Sequence, residues 1–331
     1  MNASFIKINL YWHTIRFLKP VQIFGRIWFR LYRPKTKPGL QKLSIAVTNG
    51  PWSCPPSSGG KWIWERGKLT FHALNKISPF KEFSFWHDSS TDYLQLYNRH
   101  YFEAMRSSSG EDWGPLLEQW ISSNPMGLKP GWEPYPTSLR VVNLISFHLN
   151  TGNLSATLIS SIAEQIRYLQ KKFEHHLQGN HLFVNGKTSI FGGCFFEGDE
   201  ADDWLKRGLS LVNKEINKQV LHDGMNYEMS PMYHAIFLVD LLDLINLSQV
   251  FTDRIPKSDV LSWVDTAQKM LRVLHLLTHP DGEIALFGDS ALKIVPSTEL
   301  VTKYAQDLGM TNTQDLGAIV FLEKSRFVRL Q

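Results

Sequence analysis

Residues 222–247 read HDGMNYEMSPMYHAIFLVDLLDLINL, a polar turn followed by a segment that is apolar on nearly every side. Asp223 and Gly224 are a turn pair, and Pro231 stands where a first helical position tolerates its missing N–H. A helix is therefore expected from about Tyr233 to Leu247, and because no polar face interrupts it, it should lie inside the fold. Residues 154–177, LSATLISSIAEQIRYLQKKFEHHL, show the opposite pattern. After a capping Ser155, Leu158, Ile162, Ile166, Leu169, Phe173 and Leu177 recur at three and four residues, which gives a helix with one buried face. Leu205, Leu209, Val212, Ile216 and Val220 repeat that outer pattern. Alternation of inner apolar and outer amphipathic helices is what an α/α toroid or another array of helical pairs produces. No fixed-period repeat of the TPR or HEAT kind is present, which lowers the solenoid reading.

Away from this region the text changes character. Residues 1–33 carry apolar positions at helical spacing, Ile15, Leu18, Ile23, Ile27 and Leu31, broken by Pro20 and closed by Pro34, so two short helices are expected. From Pro34 to about Phe80 the chain is rich in Pro, Gly and Ser and reads as an irregular wrapping segment, with short strands at Trp62–Trp64 and Leu69–Phe71. The last fifteen residues, GAIVFLEKSRFVRLQ, turn β-like. The expected division is a wrapping segment over 1–90, a helical toroid over 91–310 and a β-like end over 311–331.

Composition excludes some functions. The 331 residues and 43% hydrophobic content suffice for a large core, and 35 Lys plus Arg against 31 Asp plus Glu leave only +4. That is far from the basic footprint of a dedicated nucleic-acid binder. The 11 Trp, 10 Tyr and 20 Phe supply faces for stacking on sugar rings, although large aromatics also simply fill cores. Cys54 and Cys194 fit no metal or disulfide framework, and His175 and His176 are adjacent rather than at helix-face spacing, so neither a metal nor another cofactor is expected. The N-terminus lacks the apolar core and cleavage site of a signal peptide. No membrane-spanning stretch is expected, although the basic aromatic start could touch a membrane surface. A soluble cytoplasmic protein is expected, with a periplasmic one as the alternative.

Polar groups of catalytic type gather in LYNRHYFE (96–103), GWEPYPTSLRVVN (131–143), QGNHLFVNGK (178–187) and HDGMNYEMSPMYH (222–234), with an acidic turn HPDGEIALFGDS at 279–290. Gly179 can end one helix and Asn180 can open the next, either as a cap alone or, with His181, as a holder for a substrate carboxylate beside outward-pointing backbone N–H groups. Tyr233 and His234 fall in the first turn of the inner helix, where Tyr233 could be structural or could carry a proton. Arg140, on a helix that Ser138 could cap, offers a forked contact to a carboxylate or sulfate, or else an ion pair with Glu133. Asn98 and His100 are groove candidates or buried, satisfied polar groups. Trp132 and Tyr227 are candidate stacking or contact residues.

Taken together, YWHTIRFLKPVQIFGRIWFRLYRP, LYNRHYFE, WEPYPTSLRVVN, GNHLFVNGK, DGMNYEMSPMYHAIFLVDLLDLINL and DGEIALFGDS resemble the heparinase II/III-like polysaccharide lyases, in particular bacterial members encoded with polysaccharide-assembly genes. The resemblance implies an N-terminal α/α toroid, here an incomplete barrel of helical hairpins, with residues 311–331 starting a β-sandwich that is missing or supplied by a partner chain. It implies cleavage of an acidic, uronate-containing polysaccharide by β-elimination. On it, Asn180 matches the carboxylate-neutralising Asn, His181 an assisting group and Tyr233 the base, or base and acid. Arg140, His100, Asn98, Trp132, Tyr227 and His234 become groove-lining candidates. The competing readings are a non-catalytic polysaccharide-binding or exopolysaccharide-assembly protein, and hydrolysis by carboxylates drawn from Glu133, Glu228, Asp281 and Glu283.

Overall fold

The computed structural model describes residues 10–34, 43–57, 61–65, 68–74, 76–108, 113–311, 317 and 319–330. Among them, helix α1 spans Pro20–Leu31, preceded by a helical turn over residues 10–15. Strands β1 (Lys61–Glu65), β2 (Lys68–Ala73) and β3 (Lys76–Pro79) form an antiparallel sheet in chain order, with Trp62 opposite Phe71 and His72 opposite Ile77. Short helices α2 (Glu82–His87), α3 (Tyr93–Arg99) and α4 (Gly114–Ser123) follow, with a 3-10 turn at Glu103–Ser107.

Three helical hairpins then make the toroid: α5 (Pro134–Thr151) with α6 (Ala156–Leu169), α7 (Gly179–Phe195) with α8 (Asp199–Gln219), and α9 (Pro231–Val250) with α10 (Lys257–Leu276). Helix α11 (Thr298–Asp307) packs on α9 and α10. The first member of each pair is inner. Helices α7 and α9 are buried on most sides, while α6 and α8 bury one stripe only. The fold is an all-α toroid. Its C-terminal end carries a hairpin of β4 (Ile319–Phe321) and β5 (Val328–Leu330), docked where Arg329 donates to the carbonyls of His275, Leu276 and Thr278 at the end of α10. Asp223 fixes the hairpin turn by accepting from the N–H groups of Lys324 and Ser325.

Proline and capping set the starts of the inner helices. Pro134 and Pro231 occupy first-turn positions of α5 and α9, and the Ser230 side chain accepts from the N–H of Tyr233. At α7 the start differs from expectation. Helix α6 ends at Leu169 rather than near Leu177, because residues 170–178 leave the axis and Lys172 reaches back to the carbonyls of Phe29 and Tyr32 at the end of α1. Gly179 therefore opens α7 instead of closing α6, at a positive φ that glycine adopts without strain. Ser138 is likewise not a cap. It lies inside α5 and accepts from the Asn185 side chain.

The C-terminal ends of the inner helices are strapped together on the far side. Ala46 N–H donates to the carbonyl of Phe195, Asn49 N–H to that of Val250, and Ile45 bridges Phe196. Beneath the inner-helix starts lies a buried charge network. Lys187 on α7 contacts Asp240 at 2.6 Å and Asp243 at 2.5 Å on α9, Arg106 holds Asp243 through two bonds, and Tyr304 donates to the same carboxylate. Burial raises the pKa of Asp240. Asp243 is buried too, yet facing Arg106 and Lys187 it is held below the ordinary carboxylate value.

Much of the aromatic content is core. Trp62, Phe71, Phe80, Phe85, Trp86 and Phe102 form one ring cluster between the sheet and α2, and Trp120 and Trp263 are buried elsewhere. Helix α9 is also long and apolar enough to cross a membrane, but 83% of that stretch is buried inside the fold and it carries Asp240 and Asp243.

Helices α7 and α8 approach through glycines. A Cβ on Gly208 would stand 2.9 Å from the Gly186 carbonyl oxygen and 2.8 Å from Ile190 N, both backbone atoms that cannot rotate away. Gly208→Ala would gain about 1 kcal/mol of helix propensity and lose about 1–3 kcal/mol to overpacking. Calorimetry should show a lowered Tm; a raised one would mean the helices are not in this close contact.

Candidate active site

The three inner helices start at one cavity. Tyr135, in the first turn of α5, Asn180 and His181, in the first turn of α7, and Tyr233, in the first turn of α9, all line a space of about 1150 Å³. Their starts bring the positive ends of three helix dipoles toward the same volume, the first-turn N–H groups of Met232 and Tyr233 being already taken by Ser290 Oγ and Ser230 Oγ. An anion is the natural occupant of such a place.

The side chains continue this theme. Asn180 donates through Nδ2 to the Tyr135 hydroxyl at 3.2 Å, and its Oδ1 is buried without a partner among the described residues. The amide is thus held from one side and keeps hydrogen-bonding capacity unspent. The His181 ring lies over Tyr135, centroids 4.3 Å apart, and its Nδ1 is 3.2 Å from Glu174 Oε2. In the tautomer that donates Nδ1–H to Glu174, Nε2 is left as an acceptor. Tyr233 is half-buried, and its phenol pKa is pushed up by burial first and by the carboxylates of Asp289 and Glu228 second. Glu228 is raised in turn by burial and by Asp289.

Around these groups the wall is mixed in charge. Lys61 and Lys76 come from the sheet, Arg106 from the 3-10 turn and Lys293 from the segment after the acidic turn, while Glu103, Glu228, Asp240 and Asp289 supply carboxylates. Tyr97 also reaches the cavity, and its hydroxyl donates to Glu133, which Tyr93 and Lys129 hold as well. Among the described residues no group of three or more His, Cys, Asp or Glu could hold a metal ion.

Residues 80–311, most of the helical part, match the family model described as Heparinase II/III N-terminus. The chain belongs to this heparinase II/III family. A heparin-sulfate lyase of Pedobacter heparinus is 30% identical over 198 residues, covering 54% of this chain and 28% of the lyase. A heparin-sulfate lyase of Bacteroides stercoris is 32% identical over 130 residues, covering 38% of this chain and 19% of the lyase. The crystal structure of a heparan sulfate lyase from Pedobacter heparinus superposes with a TM-score of 0.50 at 22% identity, over 74% of this chain and 44% of that one. A mutant of the same lyase gives 0.51 at 22% identity, over 77% and 46%. The likeness in structure shows a shared fold, and the chain spans less than half the length of these relatives.

Within this heparinase II/III toroid the groove candidates separate. Asn98 and Tyr227 line the cavity with Asn180, His181 and Tyr233. Arg140, His100, Trp132 and His234 do not. Arg140 is 0% exposed, its guanidinium bonded to Gln165 and to the His100 carbonyl and lying 3.9 Å over the Trp120 ring, with no ion pair to Glu133. His100 is enclosed: Nδ1 accepts from Trp120 and Nε2 donates to the Trp86 carbonyl, and burial holds its pKa well below the ordinary value. His234, next to Tyr233 but turned toward α10, accepts from Asn226 N–H and donates to the Met270 carbonyl; burial lowers its pKa to about 4. Trp132 donates its indole N–H to the Asn124 carbonyl and packs on Trp120 and Tyr168. All four are fully satisfied inside the protein.

Tyr135, Arg106, Asp240, Asp289 and Lys293, which the cavity includes, are not singled out by the sequence pattern. For Tyr135 the signal is Pro134, which marks a helix start just as Pro231 does. Arg140→Ala, which leaves Gln165 and the His100 carbonyl without their charged donor, should cost about 3–5 kcal/mol of stability in denaturant unfolding and leave polymer affinity per folded molecule unchanged. A stable variant with weakened binding would put Arg140 back in the groove.

Proposed function

We propose that this chain acts as a polysaccharide lyase on a uronate-containing polymer, by β-elimination. The observation that carries the reading is the convergence of Asn180, His181 and Tyr233, from the starts of two adjacent inner helices, on one cavity built to receive an anion. The names of the heparin-sulfate lyases it is similar to support it. In this reading residues 1–90 wrap, 91–310 form the toroid and 311–331 begin a β-sandwich.

Elimination needs the uronate carboxylate neutralised so that the C5 proton becomes acidic enough to leave. The second N–H of Asn180 Nδ2 and the helix starts serve that carboxylate. A base then takes the C5 proton, the C4=C5 double bond forms as the C4–O4 bond breaks, and an acid returns a proton to O4. Tyr233, whose raised pKa keeps the phenol protonated at neutral pH, is ready as the acid. Its service as base requires the phenolate, and His181 Nε2 is the assisting acceptor beside it. Because the phenol pKa is raised, the phenolate fraction at any pH near neutrality is small and grows about tenfold per pH unit.

Two other readings keep a specific observation each. A binding or assembly role is the first, for a cavity whose wall mixes aromatic rings with basic side chains. Glu228 beside Asp289, with its pKa raised, is a carboxylate pair of the kind hydrolysis uses. Glu133, Asp281 and Glu283 do not line the cavity.

Ultraviolet absorbance of the C4=C5 product separates all three on a panel of uronate polymers. Elimination predicts a rising signal, with kcat/KM increasing between about pH 6 and 9 as phenolate forms, lowered about 100- to 1000-fold by Asn180→Ala and about 100-fold or more by Tyr233→Phe. Reducing ends without absorbance would mean hydrolysis. Saturable binding without any product would mean a binding protein.

A further inference from the structure

Helix α1 and the turn before it present an apolar surface outward. Phe24, Ile27, Trp28 and Leu31 recur at three and four residues on one face, and Phe24, Trp28 and Leu31 are 70%, 64% and 74% exposed. Leu10, Tyr11, Trp12 and Phe17 in the preceding residues are exposed as well. The helix is not free to roll this face inward, because its opposite face is already engaged. A Cβ on Gly25 would stand 2.8 Å from His176 Cβ, Phe29 packs on the His176 ring, and Lys172 holds the carbonyls of Phe29 and Tyr32.

Charge tells what the free face fits. Residues 1–64 contain ten Lys plus Arg and no Asp or Glu, whereas residues 65–331 contain 25 Lys plus Arg against 31 Asp plus Glu. The small net charge of the whole chain hides a strongly basic start on an acidic body. On α1 itself, Arg26 and Arg30 form a row along one flank of the apolar stripe, with Lys19 at the helix start. An apolar face carrying Trp, Phe and Leu beside a basic flank is the form of a helix that lies in a bilayer interface rather than across it. An acidic polysaccharide offers charge to the arginines and ring faces to Trp28, but no apolar medium to cover Ile27 and Leu31, which are exposed on the same face.

We propose that α1 and the residues before it seat the protein on the surface of an anionic phospholipid bilayer, with Phe24, Ile27, Trp28 and Leu31 in the acyl boundary and Arg26 and Arg30 at the headgroups. This attachment goes beyond the cavity and its chemistry and does not depend on them. Each basic residue near an anionic leaflet contributes on the order of 1 kcal/mol of attraction, so salt weakens the attachment without abolishing its apolar part.

The test uses the full chain with vesicles of phosphatidylcholine alone or mixed with phosphatidylglycerol. The expected result is co-sedimentation with the mixed vesicles and a blue shift of tryptophan fluorescence, weakened about tenfold or more by Phe24→Ser with Trp28→Ser and also by Arg26→Glu with Arg30→Glu. Circular dichroism of both variants should match the parent, since the replaced side chains face solvent. Absence of co-sedimentation, equal binding by both double variants, or equal binding to the neutral vesicles overturns the proposal. So does a concentration-dependent dimer lost in Phe24→Ser with Trp28→Ser, or retention by a polyanionic polysaccharide that needs the same residues while vesicles are ignored.

Discussion

The buried contact between Lys187 and the pair Asp240 and Asp243 sets the rotation of two inner helices against each other, and the cavity above depends on it. Lys187 lies seven residues after Asn180, and Asp240 lies seven after Tyr233. Seven residues are nearly two turns, so each pair shares a helix face about 10 Å apart along the axis. Locking Lys187 onto Asp240 therefore turns Asn180 and Tyr233 toward the same space. Arg106 balances the second carboxylate, and Tyr304 and Asn246 extend the network to α11 and to Ser53 near the far-side strap. Two cations against two carboxylates leave no net buried charge. Such a network adds little stability over well-packed apolar residues, but losing one member strands a charge in the interior. Its use here is to fix register.

The same geometry adds helix dipoles to the basic side chains of the cavity wall. Each inner helix is followed by an outer one that returns the chain, so successive inner helices run in the same direction and their N-termini gather at one end. That end gains positive potential from the helix dipoles, to which Lys61, Lys76, Arg106 and Lys293 of the wall add. Burial first, and then the carboxylates of Asp289 and Glu228, raise the phenol pKa of Tyr233.

Much of the architecture was legible in the sequence because it is written in periodicity. The all-round apolar run of α9 and the one-sided stripes of α6 and α8 separate inner from outer helices, and the start expected at about Tyr233 lies two residues inside the observed one at Pro231. What periodicity could not show is the direction of a single polar side chain. Tyr233 and His234 are neighbours, yet one turn angle puts the first in the cavity and the second against α10. Arg140 and His100 look like substrate ligands by residue type and prove to satisfy each other's surroundings around Trp120. Nor could sequence position reveal that Arg106 and Asp240, far apart in the chain, share the cavity floor.

The central claim is that Asn180 and the helix starts receive a carboxylate. A calorimetric binding cycle tests it most directly, pairing a uronate oligosaccharide and its carboxyl-reduced counterpart with the parent chain and Asn180→Ala. The account predicts that reducing the carboxyl groups weakens binding to the parent by at least about tenfold and changes binding to Asn180→Ala far less, the difference being the coupling between the two groups. An equal loss in both proteins would show that the carboxylate is held elsewhere, and would contradict the account.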